Sequence, residues 1–311
     1  MKPSCTILIP HVDTPELLFG SIEQIEKFTD NIDWEVIVAD QSSNNIHNIV
    51  VSKYAGHSRV KIIKLNKIDA GYPIDVTARM SSKDFFCSLD ADAFPMHKNW
   101  LYAPIQLIKE FNLSFVGQDT GLSQFPAYKA HGDFSQINNY FRVSTTSLAR
   151  HVSENAGFCR FQNRARTGLK FADVGWKENH SDNGVVAQWW SDVKGFGDKL
   201  SLALNKIVGM TNEFGVYGMC IDDLVFHFVF GYHPDTINDA QKSLGSNYLA
   251  LEQKIKNEGL TQTNVDALIN SLKPHHPYTS RGLSVNGKIN HMDSNHEIYK
   301  RLNELKEIEA K

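Results

Sequence analysis

The first third of the chain repeats one pattern: a short run of β-branched and apolar residues, a polar turn, then apolar residues at helical spacing. Runs too short for helices and too apolar for exposure, separated by helical stretches, restrict the fold to βαβ units around a largely parallel sheet. The pattern predicts strands at 5–9 (CTILI), 34–39 (WEVIVA), 60–65 (VKIIKL) and 84–89 (DFFCSL). After the first, Thr14 is placed to cap a helix with Pro15 at its first position, and Leu18, Ile22, Ile25 and Phe28 recur on one face. A short helix is expected over 73–82. Open α/β sheets bind ligands beyond the carboxyl ends of their strands, which directs attention to 11–14, 40–45 and 90–94.

Further along, regularity falls. From 117 to about 231 the chain is rich in glycine and aromatic residues, with a strand expected at 140–145 and a helix over 183–190. Past Pro234 it turns polar, with helical patterns at 239–256 and 264–272 and an expected loop at 273–293. A final helix aligns Ile298, Leu302, Leu305 and Ile308 in one stripe. Its mixed charges suit packing on the main body or pairing with a second subunit, a homo-oligomer, better than lying on a membrane.

Charge and cysteine usage exclude several classes. A formal net charge of -3 and a pI near 6.5 leave no basic excess for nucleic acid. Cys5, Cys87, Cys159 and Cys220 form no CxxC pair and read as reduced, structural thiols. The apolar run before Pro10 is too short for a signal-peptide core, and no run approaches the roughly 18 apolar residues of a membrane span. A cytoplasmic protein is expected, at most peripheral to a membrane.

The central chemical feature is Leu89-Asp90-Ala91-Asp92-Ala93-Phe94, two carboxylates directly after an apolar strand. If the backbone stays extended, both project from one side and converge on a hard cation, Mg²⁺ or Mn²⁺, bridging to a diphosphate. Two solvated acids in a turn are the competing account. Asp40 ends another strand, where a carboxylate accepts the N–H edge of a nucleobase or, with Ser42 and Ser43, caps a turn. Arg79 has the planar fork that suits phosphate, or is a plain surface residue. Asp69-Ala70-Gly71 is a flexible turn at another strand end, where glycine lets the protein backbone approach a ligand closely. Trp176, Trp189 and Trp190 suit either a sugar-stacking platform or the core.

In their order along the chain, Thr6-Ile7-Leu8-Ile9-Pro10, the segment from Glu35 through Asp40-Gln41-Ser42-Ser43-Asn44, Ala78-Arg79 and Asp90-Ala91-Asp92 resemble the glycosyltransferases of the GT-A fold. The likeness is greatest to the large family 2 of inverting enzymes, and it covers the first 100 residues well and the next 130 loosely. It implies a Rossmann-like α/β fold with a mixed, mainly parallel central sheet and a C-terminal helical extension. The corresponding domains are 1–234, with a nucleotide-sugar half (1–117) and an acceptor half (118–234), and 235–311. It implies metal-dependent transfer of a sugar, with inversion, from a UDP-, GDP- or dTDP-sugar to a glycan or similar acceptor, as in polysaccharide biosynthesis. Carried over by position, Pro10, Asp40, Arg79 and Ala91 line the donor site, and Asp90 and Asp92 hold Mn²⁺ or Mg²⁺; Asp69 joins the donor-site candidates through its turn. His227, in an apolar run, is a third metal ligand or a core histidine. Asp182, at the start of the helix expected there, is the preferred general base, with Asp222 and Asp223 as the alternative.

The chain departs from the family in having Gln41 where a second acid is usual and His11-Val12-Asp13 where a Thr-Tyr-Asn type loop is usual. A sugar nucleotidylyltransferase is the nearest other enzyme, but Pro10 to Thr14 lack its glycine-rich basic loop. A silent glycan- or nucleotide-binding module of the same fold is the non-enzymatic alternative. No GxGxxG follows an early strand, which disfavours a dehydrogenase.

Overall fold

The computed structural model describes residues 2–67, 71–119, 137–155, 157–158, 201–204, 206–211, 217–228, 272–276, 282–285, 288–291 and 296–309. The N-terminal part runs β1 (Ser4–His11), α1 (Pro15–Phe28), β2 (Asp33–Asp40), α2 (Asn44–Lys53), β3 (Val60–Lys64), α3 (Tyr72–Met80), β4 (Phe85–Leu89) and β5 (Ala93–Pro95). It continues with α4 (Tyr102–Phe111), β6 (Val116–Asp119), β7 (Ile137–Thr145) and α5 (Thr146–Asn155). The later strands are β8 (Ser201–Leu204), β9 (Lys206–Thr211), β10 (Tyr217–Ile221), β11 (Val225–Phe228), β12 (Leu272–His276), β13 (Gly282–Val285) and β14 (Lys288–His291). A last helix, α6, spans Glu297–Glu307.

Nine strands form the main sheet in the order β14-β13-β8-β6-β7-β4-β1-β2-β3. The block β4-β1-β2-β3 is parallel, as the early pattern predicts, and β7 then runs antiparallel between β4 and β6. Because the chain leaves β1 toward β2 and later returns to β4 on the other side, the strand order reverses at β1, the position where such sheets open a crevice.

Side chains alternate across this sheet with period two, and each face feeds its own core. Ile7, Ile9, Val36, Val38, Cys87 and Leu89 join Leu18, Ile22 and Ile25 of α1 on one side. Leu8, Ala39 and Phe86 meet Ile74 and Ala78 of α3 and Leu148 and Val152 of α5 on the other. Each valine, leucine, isoleucine or phenylalanine among them contributes roughly 1.5–3 kcal/mol by its burial. Cys5, Cys87 and Cys220 are buried free thiols, and burial pushes the Cys220 thiol up to about 12. Cys159 lies outside the described residues.

A second, antiparallel sheet follows the order β12-β9-β10-β11-β5. Its edge strand β5 leaves β4 through a turn in which Ala93 N–H donates to the Asp90 carbonyl at 3.0 Å. The extended backbone expected across Asp90 to Asp92 is therefore replaced by a tight turn, because the chain changes sheets there. Ser21 Oγ of α1 donates to the Ala93 carbonyl at 2.8 Å and fixes this crossing against the first sheet.

The C-terminal segment ends in the expected helix and also supplies strands to both sheets. β12 pairs with β9, while β13 pairs with β8 and β14. The loop expected over 273–293 thus contains three strands. The helices expected over 183–190 and 239–256 lie outside the described residues, as does 264–271. Helix α6 buries Ile298, Tyr299, Leu302 and Leu305 in the main core and lies against α4, where Arg301 donates from Nε and Nη2, along one guanidinium edge, to the two carboxylate oxygens of Glu110 at 2.7 and 2.9 Å. Asn99 Nδ2 points at the carbonyls of Leu305, Lys306 and Ile308, closing the end of the helix. No described helix is long and apolar enough to cross a membrane.

Candidate functional site

Asp90 and Asp92 flank the turn between β4 and β5, at the carboxyl edge of the parallel block. The turn alone would leave them as two neighbouring acids. Strand β11 pairs with β5 so that His227 stands opposite Ala93, and this register delivers the imidazole to the acids. His227 Nε2 lies 3.3 Å from Asp92 Oδ1 and 3.9 Å from Asp90 Oδ2. The three side chains each offer a ligand atom within 4.8 Å of the others. Side-chain exposure is 28% at Asp90, 9% at Asp92 and 3% at His227, so the cluster opens on the Asp90 side. Two carboxylates and an imidazole this close form a donor set for a divalent cation, and the access that Asp90 retains leaves room for a further ligand.

The edge formed by β1 and β2 carries a second polar cluster. His11 and Asp40, the last residues of the two strands, are register partners. His11 Nδ1 is 3.0 Å from Asp40 Oδ1, and the Thr14 N–H donates to His11 Nε2 at 3.2 Å. Since Nε2 accepts, the hydrogen-bond network places the ring proton on Nδ1, where it faces the carboxylate. Thr14, at the N-cap position of α1, makes no side-chain cap. Ser42 N–H donates to Asp40 Oδ1 at 3.0 Å, and His47 Nδ1 approaches Asp40 Oδ2 at 2.6 Å. Burial would raise the Asp40 carboxyl, but the hydrogen bonds from His11, Ser42 and His47 outweigh it and hold the group well below the usual carboxylate range.

The loops after β1 and β2 are also joined to each other. Asp13 N–H donates to Ser42 Oγ at 2.8 Å, and Ser43 N–H donates to Asp13 Oδ1 at 2.9 Å. Asp13 adopts φ 51°, a left-handed conformation that short polar residues tolerate.

The structure therefore gathers Asp90, Asp92 and His227, with Ala91 in the turn between the acids. Pro10 sits at the end of β1, opposite Ala39. Asp40 is at the same edge of the sheet but wholly buried. Arg79 is not brought to the cluster: it is exposed in the last turn of α3 and donates to the Asp75 carbonyl at 2.8 Å. Two residues later, the Ser81 hydroxyl lies 2.6 Å from Thr6 near the opposite end of β1, so Arg79 stands at the amino edge of the strands. Asp222 and Asp223 form the β10–β11 hairpin turn, at φ 47° and 58°, and Lys306 of α6 pairs with Asp223 at 3.3 Å. Asp69, Asp182, Trp176, Trp189 and Trp190 lie outside the described residues. The sequence reading missed His47 and the role of His11. The available signal was a histidine at the end of β1 and another in the first turns of the helix that follows β2.

No protein-family model matches the chain, and no curated protein sequence matches it. Among solved structures, one similar chain is the mannosyltransferase PcManGT of Pyrobaculum calidifontis, in complex with GDP-Man and Mn²⁺ (14% identity over 50% of this chain and 46% of that one, TM-score 0.39). Another is residues 1–349 of S. aureus TarS in complex with UDP-GlcNAc (20% identity, 37% and 33% coverage, TM-score 0.33). A third is the galactosyltransferase LgtC with donor and acceptor sugar analogues (10% identity, 58% and 68% coverage, TM-score 0.42). This chain matches less than half the length of the first two. The α/β assignment stands on the strand order and registers given above, not on these superpositions.

Proposed function

We propose that this chain is a metal-dependent glycosyltransferase that moves a sugar from a nucleoside-diphosphate donor to a hydroxyl of a carbohydrate or similar acceptor. The observation that carries the reading is the convergence of Asp90, Asp92 and His227, from two sheets, at the carboxyl edge of the parallel block. Two carboxylates held beside an imidazole are suited to a cation that is itself shared with a ligand. Two carboxylates and one imidazole favour Mn²⁺ over Mg²⁺, because Mg²⁺ prefers oxygen alone while Mn²⁺ accepts nitrogen more readily.

Asp90, Asp92 and His227 would hold the ion. When bound, it offsets the negative charge that develops on the departing diphosphate. The turn through Ala91 and the tie from Ser21 to Ala93 keep the two acids at a fixed separation, so the donor's diphosphate is oriented rather than merely attracted. In this reading Asp182 takes the proton of the acceptor hydroxyl as its oxygen bonds to the anomeric carbon and the bond to the diphosphate oxygen breaks on the opposite face, which inverts the centre. Asp223 is less suited to that role because it is paired with Lys306 in the seating of α6.

The test is calorimetric titration of nucleoside diphosphates and nucleotide sugars with and without Mn²⁺, on the wild type and on Asp92→Ala. Metal-dependent binding of a nucleotide that Asp92→Ala loses supports the donor site. Absence of nucleotide binding under every metal condition removes the reading. Asp182→Asn should keep donor binding and lose transfer.

A further inference from the structure

We propose that His47 is the residue through which this chain reads the base of its nucleotide, by accepting an imide N–H, and that Asp40 is a positioning residue that fixes the imidazole's tautomer. The inference rests on the nucleotide-sugar reading above and deepens it.

Asp40 cannot meet a ligand as it stands. Its side chain is 0% exposed, and its oxygens already accept from His11 Nδ1, the Ser42 N–H and His47 Nδ1. Of the two histidines bound to it, His11 is also 0% exposed, whereas His47 retains 20%. His47 is thus the member of the group that reaches the surface, and it does so from the first turns of α2, beyond the carboxyl end of β2.

A carboxylate only accepts, so the 2.6 Å contact requires the His47 proton to sit on Nδ1. Whatever His47 offers a ligand it offers through Nε2, and in the neutral ring that atom is an acceptor. The doubly stitched loops around Asp13, Ser42 and Ser43 hold the base of this residue in place, so the acceptor has a direction. Its complement is a nucleobase with an imide N–H, as in uracil or guanine. Cytosine presents a lone pair at the corresponding ring nitrogen and would face Nε2 acceptor to acceptor. A ribose hydroxyl could also donate to Nε2, but that contact would not distinguish UDP from CDP, which share the ribose.

The experiment measures the affinity of UDP, GDP and CDP in the presence of Mn²⁺ for the wild type, His47→Ala and Asp40→Asn. The wild type should bind UDP or GDP in preference to CDP, and His47→Ala should weaken the preferred nucleotide about tenfold while leaving CDP nearly unchanged. Asp40→Asn keeps the shape and lets its amide donate to His47 Nδ1, which moves the imidazole proton to Nε2. The preference should then collapse or turn toward CDP, a reversal that loss of packing alone would not give. Equal weakening of UDP and CDP by His47→Ala, or no weakening of either, overturns the proposal while leaving the donor site standing. Failure of the wild type to bind any nucleotide overturns the glycosyltransferase reading and this inference together.

Discussion

Two acidic clusters stand at one edge of the same sheet, and they resolve the problem of a carboxylate near the core in opposite ways. Asp40 is hydrogen-bonded from within: two imidazoles and a backbone N–H donate to it, and these partners come from β1, the β2–α2 loop and the start of α2. Asp90 and Asp92 are placed beside each other with His227 of a distant hairpin as their neighbour, an arrangement that gathers negative charge. The first cluster adds to the stability of the fold. The second brings two carboxylates together beside one imidazole, charge that a bound cation would offset.

Substitutions that separate these two kinds of acid give the largest effects. Asp40→Ala strands several buried donors and should cost about 3 kcal/mol in urea denaturation at neutral pH. The sign of the accompanying pH dependence is fixed by the depressed carboxyl: its contribution is complete above the unfolded pKa of about 4 and is lost as pH falls toward the lower folded value. Wild-type stability should therefore drop more steeply below about pH 4 than that of Asp40→Ala. A flat comparison would mean that the two clusters do not differ in kind.

Asp92→Asn should do the reverse. Removing one of two adjacent charges should leave the melting temperature unchanged or raise it without metal, while Mn²⁺, at 100 times its wild-type dissociation constant, should stabilise the wild type by roughly 2.7 kcal/mol and the variant far less. Strong destabilisation of the metal-free variant would break the contrast. His227→Gln should weaken Mn²⁺ about tenfold and Mg²⁺ by less, since it replaces a nitrogen ligand with an oxygen one, and calorimetry with both ions sharpens the assignment of the third ligand. The smallest effect is expected at a site that belongs to neither cluster. Asn99→Ala removes the donors at the end of α6 and should cost about 1 kcal/mol, read as earlier thermal unfolding without change in metal affinity.

The half of the fold that was legible in the sequence is the half built from neighbours. Strands β1 to β4 and helices α1 and α3 lie within a few residues of their expected limits, because parallel strands buried on both faces, as β1, β2 and β4 are, need continuous apolar runs. The rest depends on pairing between distant segments. β5 is only Ala93, Phe94 and Pro95, too short to show a pattern, and is a strand because β11 lies against it. Strands β13 and β14 are only four residues each, yet Val285 pairs with Lys288 across Asn286-Gly287, a dipeptide favoured in tight hairpins. At the site, the acid pair was visible as a motif. The partnership of Asp40 with His11 and His47 was not, because a buried acid and a ligand-contacting acid look alike until their donors are placed.

The register that brings His227 opposite Ala93 also orders events in time. During synthesis the acids leave the ribosome early, with the strands of the parallel block, whereas β11 follows after more than 130 further residues. Domains gain their non-local contacts last, since each must first overcome the entropy of closing a long loop. The nascent chain consequently passes through a stage in which the parallel strands can form with the two acids in place, and the arrival of one hairpin then sets His227 beside them.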